Sequence, residues 1–134
     1  MIFKDGLPIL KGMSKEHKTS ESFKYAFDGL KLTTINEPNF RIQIVLAIAS
    51  TFLGIALKIS QTEWLILIIA IFMVLLLELI NSSLEALVDL VSPDINEKAK
   101  VAKDTAAAAV LTASILSLII GIVIFLPKIL ILLK

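Results

Sequence analysis

The sequence of 134 residues contains no cysteine, one histidine, five glycines and four prolines. Without cysteine the chain has no disulfide, no zinc–thiolate site and no thiol nucleophile. Its formal net charge is only +1, which excludes a strongly basic nucleic-acid binder, because such proteins bind through many phosphate contacts. The glycines form neither G-x-x-x-x-G-K-[ST] nor a glycine-rich phosphate loop, so side chains and ions would have to hold any nucleotide.

The chain is rich in aliphatic residues. Hydrophobic residues make up 57% of it although aromatic residues make up only 7%, and the mean hydropathy is +0.89. A soluble domain of this size leaves too much surface exposed to hide so many apolar side chains. The composition therefore predicts an all-α membrane protein.

Three long runs poor in charge predict three membrane-spanning helices, at about residues 41–58, 64–91 and 104–126. A span needs about 20 residues, at 1.5 Å each, to cross roughly 30 Å of hydrocarbon. The second run reaches that length only if its helix continues through Glu78 and Asn81.

The segment before the first span divides into two parts. Residues 1–17 contain glycine, proline and scattered charges, which is typical of a tail. They lack an apolar core with a small-residue cleavage site, so we expect no cleaved signal peptide. Residues 20–35 place Phe23, Phe27 and Leu30 at helical spacing, which predicts an amphipathic helix on the membrane surface.

The positive charges predict the orientation. With three spans, the amino-terminal segment and the polar loop near residues 92–104 lie on the same side of the membrane. That side holds ten of the thirteen Lys and Arg residues. Because positive loops stay in the cytoplasm, we expect this side to be cytoplasmic.

The second span has a polar face made by Glu78, Asn81, Glu85 and Asp89. At about 100° per residue these four side chains lie within an arc of roughly 80°. Glu78 lies about 21 Å along the helix from Trp64, which marks the opposite interface. Glu78 is therefore expected within the hydrocarbon below the cytoplasmic head groups, with Glu85 at head-group level.

A carboxylate near the bilayer centre costs about 2.5–3.5 kcal/mol or more, so its presence points to a function. A desolvated carboxylate such as Glu78 is a good general base. The oxygens of Glu85, Asn81 and Asp89 suit Mg²⁺, and Glu37, just before the first span, adds another carboxylate at the same interface. At the start of the third span Asp104 is a candidate helix cap, and Lys103 is a candidate phosphate ligand.

The residues alone leave three interpretations open. The first is a membrane enzyme that transfers a phosphoryl group to a lipid head group, using a metal, a base and a lysine. The second is a small proton or cation conductor with Glu78, Asn81 and Glu85 as its relay. The third is a structural assembly factor in which the acidic face joins helices.

Several motifs in order resemble the prokaryotic diacylglycerol kinase family, which includes the undecaprenol kinases. ELINSSLEALVD at residues 78–89 resembles the family pattern E-x-x-N-[ST]-[AS]-[IL]-E-x-x-x-D. AKDTAAAAV at residues 102–110 resembles A-K-D-x-[AG]-[SA]-[AG]-A-V. SFKYAFDGL (22–30) and NEPNFR (36–41) resemble the family's surface helix and the start of its first span. The resemblance covers about residues 18–127, so residues 18–134 are interpreted as the kinase domain.

The resemblance implies a homotrimer with active sites shared between subunits, and ATP and Mg²⁺ as co-substrate and cofactor. It implies that Glu78 is the general base and that Glu37 and Glu85 bind the metal. It assigns Asn81 and Asp89 supporting roles. It places further residues at the nucleotide: Lys18, Tyr25, Asp94, Asn96, Lys103 and Asp104, together with the two metal ligands. Glu78 and Arg41 are expected to contact the lipid acceptor.

The acceptor expected from the family name is diacylglycerol, which would give phosphatidic acid. Undecaprenol is the alternative, since NEPNFR resembles the undecaprenol-type pattern N-x-R-N-[FM]-R equally well. Gln43 stands where that type often has His, and residues 106–109 lack the Gly-Ser seen in some diacylglycerol kinases.

Overall fold

The computed structural model describes residues 19–92, 94 and 96–133. The predicted tail at 1–17 and Lys18 lie outside the described residues. The described chain is all-helical, as the sequence predicts, with four helices: α1 (Thr19–Asn36), α2 (Pro38–Ala56), α3 (Gln61–Val91) and α4 (Glu97–Leu132). It divides into two compact units, one ending at Leu32 and one beginning at Thr33, and the second holds α2, α3 and α4.

Helix α1 has 18 residues, and its side chains as far as Leu32 are exposed wherever they are described. Phe23, Tyr25 and Phe27 are the large apolar groups of its first half. These exposed rings agree with the sequence pattern that predicts a surface helix, and the membrane location of α1 stays a prediction.

Only Glu37 separates α1 from α2. Its backbone is extended, with φ −102° and ψ 107°, and Pro38 follows at the first helical position. Proline suits that position because its fixed φ fits the helix and its missing N–H has no intrahelical partner there. Helix α2 therefore begins three residues before the start that the sequence predicts for the first span.

A Schellman motif ends α2 and turns the chain towards α3. The Lys58 N–H donates to the Ile55 carbonyl, and the Ile59 N–H donates to the Gly54 carbonyl, both at 3.2 Å. Lys58 is left-handed, with φ 49°, at the position where glycine is usual. Ser60 and Glu63 then form a capping box that starts α3.

The core of the second unit lies at this hairpin. Ile59, Leu67, Ile124 and Phe125 are buried together. Trp64 packs so closely on Gly54 that a Cβ at residue 54 would lie 2.9 Å from the indole ring. This position therefore has room only for glycine as the structure stands.

Helix α4 packs along α3, and the Ser117 hydroxyl donates to the Ala70 carbonyl at 3.1 Å across their interface. Its start corrects one sequence-based expectation. The helix begins at Glu97 and its N-cap is Asn96, whose side chain accepts from the Lys98 N–H at 2.8 Å. Asp104, the expected cap, lies two turns inside the helix.

Helix α4 continues past the end predicted for the third span, whose bounds in the membrane stay a prediction. Pro127 lies inside the helix, which continues to Leu132, six residues past the predicted end of the span. The proline removes one backbone hydrogen bond, yet apolar helices tolerate such a loss where neighbours and local adjustments compensate. On the same turn, the Lys128 ammonium pairs with the Glu63 carboxylate at 3.1 Å and joins α4 to the start of α3.

Helices α2, α3 and α4 are long and apolar enough to cross a membrane. The 31 residues of α3 correspond to about 46 Å at 1.5 Å per residue. That length exceeds the roughly 30 Å of bilayer hydrocarbon, so one end of α3 extends beyond it. The chain has the architecture of a multi-pass membrane protein.

Candidate functional site

The polar face of α3 is the candidate site, and its burial is graded. Glu78 is 3% exposed and Asn81 is 9% exposed, and they are the buried polar side chains among the described residues. Glu85 is half-buried and Asp89 is exposed. The face therefore runs from the interior of the second unit, at Glu78, to its surface at Asp89.

Glu78 is held by a residue of the first span. The Gln43 Nε2 group on α2 donates to Glu78 Oε2 at 2.9 Å. Sequence reasoning noted Gln43 only as a position that differs between family subtypes and gave it no role. The signal available was a polar side chain within an apolar run two residues after Arg41.

A second amide–carboxylate pair lies one turn further along α3, where Asn81 Nδ2 donates to Glu85 Oε1 at 2.9 Å. In both pairs the amide nitrogen has a partner and the amide oxygen does not. Gln43 Oε1 and Asn81 Oδ1 are buried without a hydrogen-bond donor from any described residue. Buried polar atoms are nearly always paired in proteins, so these two oxygens are acceptors open to a donor from outside the described residues.

At the exposed end of the face, α3 and α4 are joined by an ion pair. The Lys103 ammonium contacts Asp89 Oδ1 at 2.9 Å and Oδ2 at 3.2 Å. The side chains are 35% and 65% exposed, so the pair adds little to stability. The contact holds the Lys103 ammonium beside the polar face of α3. The sequence predicts that Lys103 is a phosphate ligand.

Two predicted residues lie at the junction of α1 and α2. The Glu37 side chain makes no cap hydrogen bond to α2, which leaves its carboxylate oxygens available for a metal ion. Arg41 Nη1 donates to the Ile35 carbonyl at 2.8 Å and so satisfies one of the last carbonyls of α1. The contact fixes the guanidinium at the helix junction, and the predicted role of Arg41 at the lipid acceptor stays a prediction.

Three further predicted nucleotide ligands, Asp94, Asn96 and Asp104, share no hydrogen bond with one another among the described residues. Asn96 is occupied as the N-cap of α4, and the Asp94 carbonyl accepts from the Ser92 hydroxyl at 3.3 Å. Asp104 is exposed on α4. Tyr25 lies on α1 in the first unit, where its side chain is exposed.

The described residues do not by themselves form a complete metal site. Within residues 19–92, 94 and 96–133 no three carboxylate or imidazole side chains converge. Mg²⁺ in phosphoryl-transfer sites is commonly held by one or two carboxylates together with substrate phosphates and water. Glu37 and Glu85 each keep an oxygen without a partner among the hydrogen bonds of these residues, and their role as metal ligands stays a prediction.

An apolar groove of about 480 Å³ lies between α2, α3 and α4. Its lining includes Gln43, Val74 and Phe125. Gln43 therefore both lines the groove and donates a hydrogen bond to Glu78. Val74 lies four residues before Glu78, so the lining reaches to within about one helical turn of the carboxylate.

Comparison with known proteins identifies relatives along most of the chain. The model of the family described as prokaryotic diacylglycerol kinase matches residues 24–125. The undecaprenol kinase of Bacillus subtilis is 38% identical over 120 residues, covering 86% of this chain and 98% of that protein. A diacylglycerol kinase of Synechocystis is 37% identical over 81% of this chain and 63% of its own length. The diacylglycerol kinase of Escherichia coli K12 is 33% identical over 71% of this chain and 78% of its own length.

The family match spans more than half of the chain, and it includes α2, α3 with its polar face, and α4 as far as Phe125. The relatives carry two names, diacylglycerol kinase and undecaprenol kinase, and both are lipid kinases. The chain belongs to the prokaryotic diacylglycerol kinase family of membrane lipid kinases.

Proposed function

We propose that this chain transfers the γ-phosphoryl group of ATP to the hydroxyl of a membrane lipid alcohol, with Mg²⁺ as cofactor. The observation that carries the proposal is Glu78, a carboxylate 3% exposed on a membrane-spanning helix, one turn from an apolar groove. A buried carboxylate beside an apolar groove is placed to act on an alcohol that stays in the membrane.

In the proposed step the lipid O–H bond breaks and its proton forms an O–H bond with the Glu78 carboxylate. The lipid oxygen forms a bond to the γ-phosphorus, the bond to the bridging oxygen of ADP breaks, and ADP leaves. Glu37 and Glu85 would hold Mg²⁺, which when bound neutralises charge on the nucleotide phosphates. Lys103, directed by Asp89, would contact a phosphate.

Diacylglycerol is the acceptor we propose from the sequence motifs, with phosphatidic acid as the product. Undecaprenol is the second candidate, and one observation favours it. The Bacillus subtilis undecaprenol kinase matches this chain over 98% of its own length, at 38% identity. Both lipids carry one primary hydroxyl on long apolar chains, so both suit the groove and Glu78.

We also propose a homotrimer in the prokaryotic cell membrane, with sites shared between subunits and the polar face of α3 in the cytoplasm. Exposed aliphatic side chains on α2, α3 and α4 leave room for contacts with lipid and with other copies. The excess of positive charge on the side of the 92–104 segment supports the cytoplasmic placement, where ATP is available.

The test is a phosphoryl-transfer assay on the purified chain in mixed micelles with MgATP. We expect either diacylglycerol or undecaprenol to be phosphorylated, and their kcat/KM ratio identifies the acceptor. Glu78→Gln should lower kcat by at least about 100-fold, since a general base contributes that much or more, while the assembly keeps its size in gel filtration. Wild-type turnover in Glu78→Gln would reject the base. Ion flux into liposomes without ATP hydrolysis would instead support a conductor.

A further inference from the structure

Gln43 lies where the apolar groove meets the proposed base. Its Nε2 group donates to Glu78 Oε2 at 2.9 Å across 35 residues of sequence, so the two spans α2 and α3 are joined at the carboxylate. A hydrogen bond to a charged group away from water is stronger and more directional than one at the surface. The hydrogen bond therefore fixes one carboxylate oxygen of Glu78 and leaves the other without a partner among the hydrogen bonds of the described residues.

The second feature is the carbonyl of the same amide. Gln43 Oε1 is buried and accepts no hydrogen bond from the described residues. Leaving a buried acceptor unpaired costs free energy, so a residue selected for stability alone would not be expected to keep it. A glutamine amide offers a donor and an acceptor side by side on one planar group.

A hydrogen-bond donor and acceptor side by side match a carboxyl group that gains and loses a proton. A carboxylate only accepts hydrogen bonds, whereas a carboxylic acid also has one O–H donor. We propose that Gln43 is a positioning residue matched to both states of Glu78. Its N–H donates to the carboxylate, and its carbonyl accepts the hydrogen of the carboxylic acid once Glu78 has taken the proton of the lipid hydroxyl. This inference rests on the proposed function for the base role of Glu78.

The role has a kinetic signature. Gln43 acts on the base and not on the nucleotide, so its loss lowers kcat and leaves the KM for MgATP unchanged. Loss of a hydrogen bond to a charged group is expected to lower kcat by about 10- to 100-fold. A residue that only packs α2 against α3 would instead change thermal stability without this separation of kcat from KM.

The experiment compares three variants of the full chain in mixed micelles. Gln43→Met keeps an unbranched side chain of similar length that fits an apolar setting, and it removes both the donor and the acceptor. Gln43→His supplies one N–H donor and one acceptor nitrogen and should recover part of the lost kcat. Thr51→Val is the matched control: Thr51 is a partly buried polar residue of α2 whose hydroxyl contacts only the Ala47 carbonyl, at 2.7 Å. We expect wild-type kinetics for it.

Wild-type kcat in Gln43→Met, or a raised KM for MgATP at unchanged kcat, would overturn the inference. So would equal activity of the Met and His variants. If Gln43→Met is normal while Glu78→Gln is inactive, the positioning role fails and the proposed function stands. If Glu78→Gln is fully active, both fail.

A measurement without turnover checks the pairing of Gln43 with protonated Glu78. The carbonyl stretching band of protonated Glu78 is assigned in infrared spectra of acidified protein by its disappearance in Glu78→Gln. We expect this band at higher frequency in Gln43→Met than in the native chain, because the carboxylic acid has lost its hydrogen bonds to the amide. An unchanged band would show that the Gln43 amide does not pair with protonated Glu78.

Discussion

At the scale of single residues, the polar face of α3 has a different partner at each level. An amide from α2 holds Glu78, an amide of α3 itself holds Glu85, and an ammonium from α4 holds Asp89. Each amide fixes one carboxylate oxygen, and the ammonium contacts both oxygens of Asp89. The face is thus organised before any ligand binds, which reduces the ordering that binding would require.

The sequence predicts the burial of Glu78, because its position within an apolar run is a local property. It does not predict Gln43 as the partner, since that contact depends on how α2 packs against α3. The same limit applies to the pairing of Asp89 with Lys103, which joins residues 14 positions apart in two different helices.

The assignment of Glu85 as a metal ligand predicts a change in the Mg²⁺ dependence of activity. Glu85→Gln should raise the Mg²⁺ concentration for half-maximal activity severalfold, because a neutral amide is a weaker ligand than a carboxylate for a hard cation. Titration of Mg²⁺ at saturating ATP measures this. Unchanged metal dependence would remove Glu85 from the metal site, and the exposed Glu97→Gln on α4 serves as the control.

The Asp89–Lys103 pair predicts a change in nucleotide affinity with little change in stability. Asp89→Asn should raise the KM for MgATP about twofold to fivefold, since exposed ion pairs contribute about 0.2–1 kcal/mol. Lys103→Met should raise it further. Lys100→Met removes an exposed lysine one turn away and should have no effect. A normal KM in Asp89→Asn would mean that Lys103 needs no positioning.

At the scale of the helices, composition predicts which segments span, but it does not predict their ends. Helix α4 starts at Glu97 because Asn96 caps it, and asparagine before a helix is a local signal that the sequence offers. Helix α4 also continues through Pro127, although proline usually ends or kinks a helix. Ends are decided by caps and packing, which act on single positions.

The Schellman motif predicts a stabilising substitution. Lys58→Gly should raise the free energy of unfolding by about 0.5–1 kcal/mol, because glycine adopts the left-handed conformation without a steric cost. Lys58→Val should lower it, since β-branched residues are the least tolerant of positive φ. Thermal unfolding in detergent measures both. Equal stability of the two variants would contradict the assigned backbone at Lys58.

At the scale of the whole molecule, three spans follow from the mean hydropathy and the spacing of charges. The sequence does not predict how copies of the chain assemble, because every span has aliphatic side chains on its outward faces. A face that contacts lipid has the same composition as a face that contacts another subunit. The trimer and its shared sites therefore stay proposals, unlike the three apolar helices.

The orientation can be tested because the chain has no cysteine. A single Lys100→Cys variant should react with a membrane-impermeant maleimide only in inside-out vesicles. A Gln61→Cys variant, at the start of α3, should react in intact cells. The native chain is the blank. Reversal of the two patterns would place the polar face of α3 outside the cytoplasm.

The surplus length of α3 has a consequence for substrate supply. A lipid alcohol is insoluble in water and a nucleotide is insoluble in oil, so a reaction between them normally requires one molecule to leave its own phase. In the proposed reaction, a helix about 46 Å long, with its polar face running from the hydrocarbon to the head groups, would offer each reactant a binding place where it already dissolves. Only the phosphoryl group then has to cross the boundary.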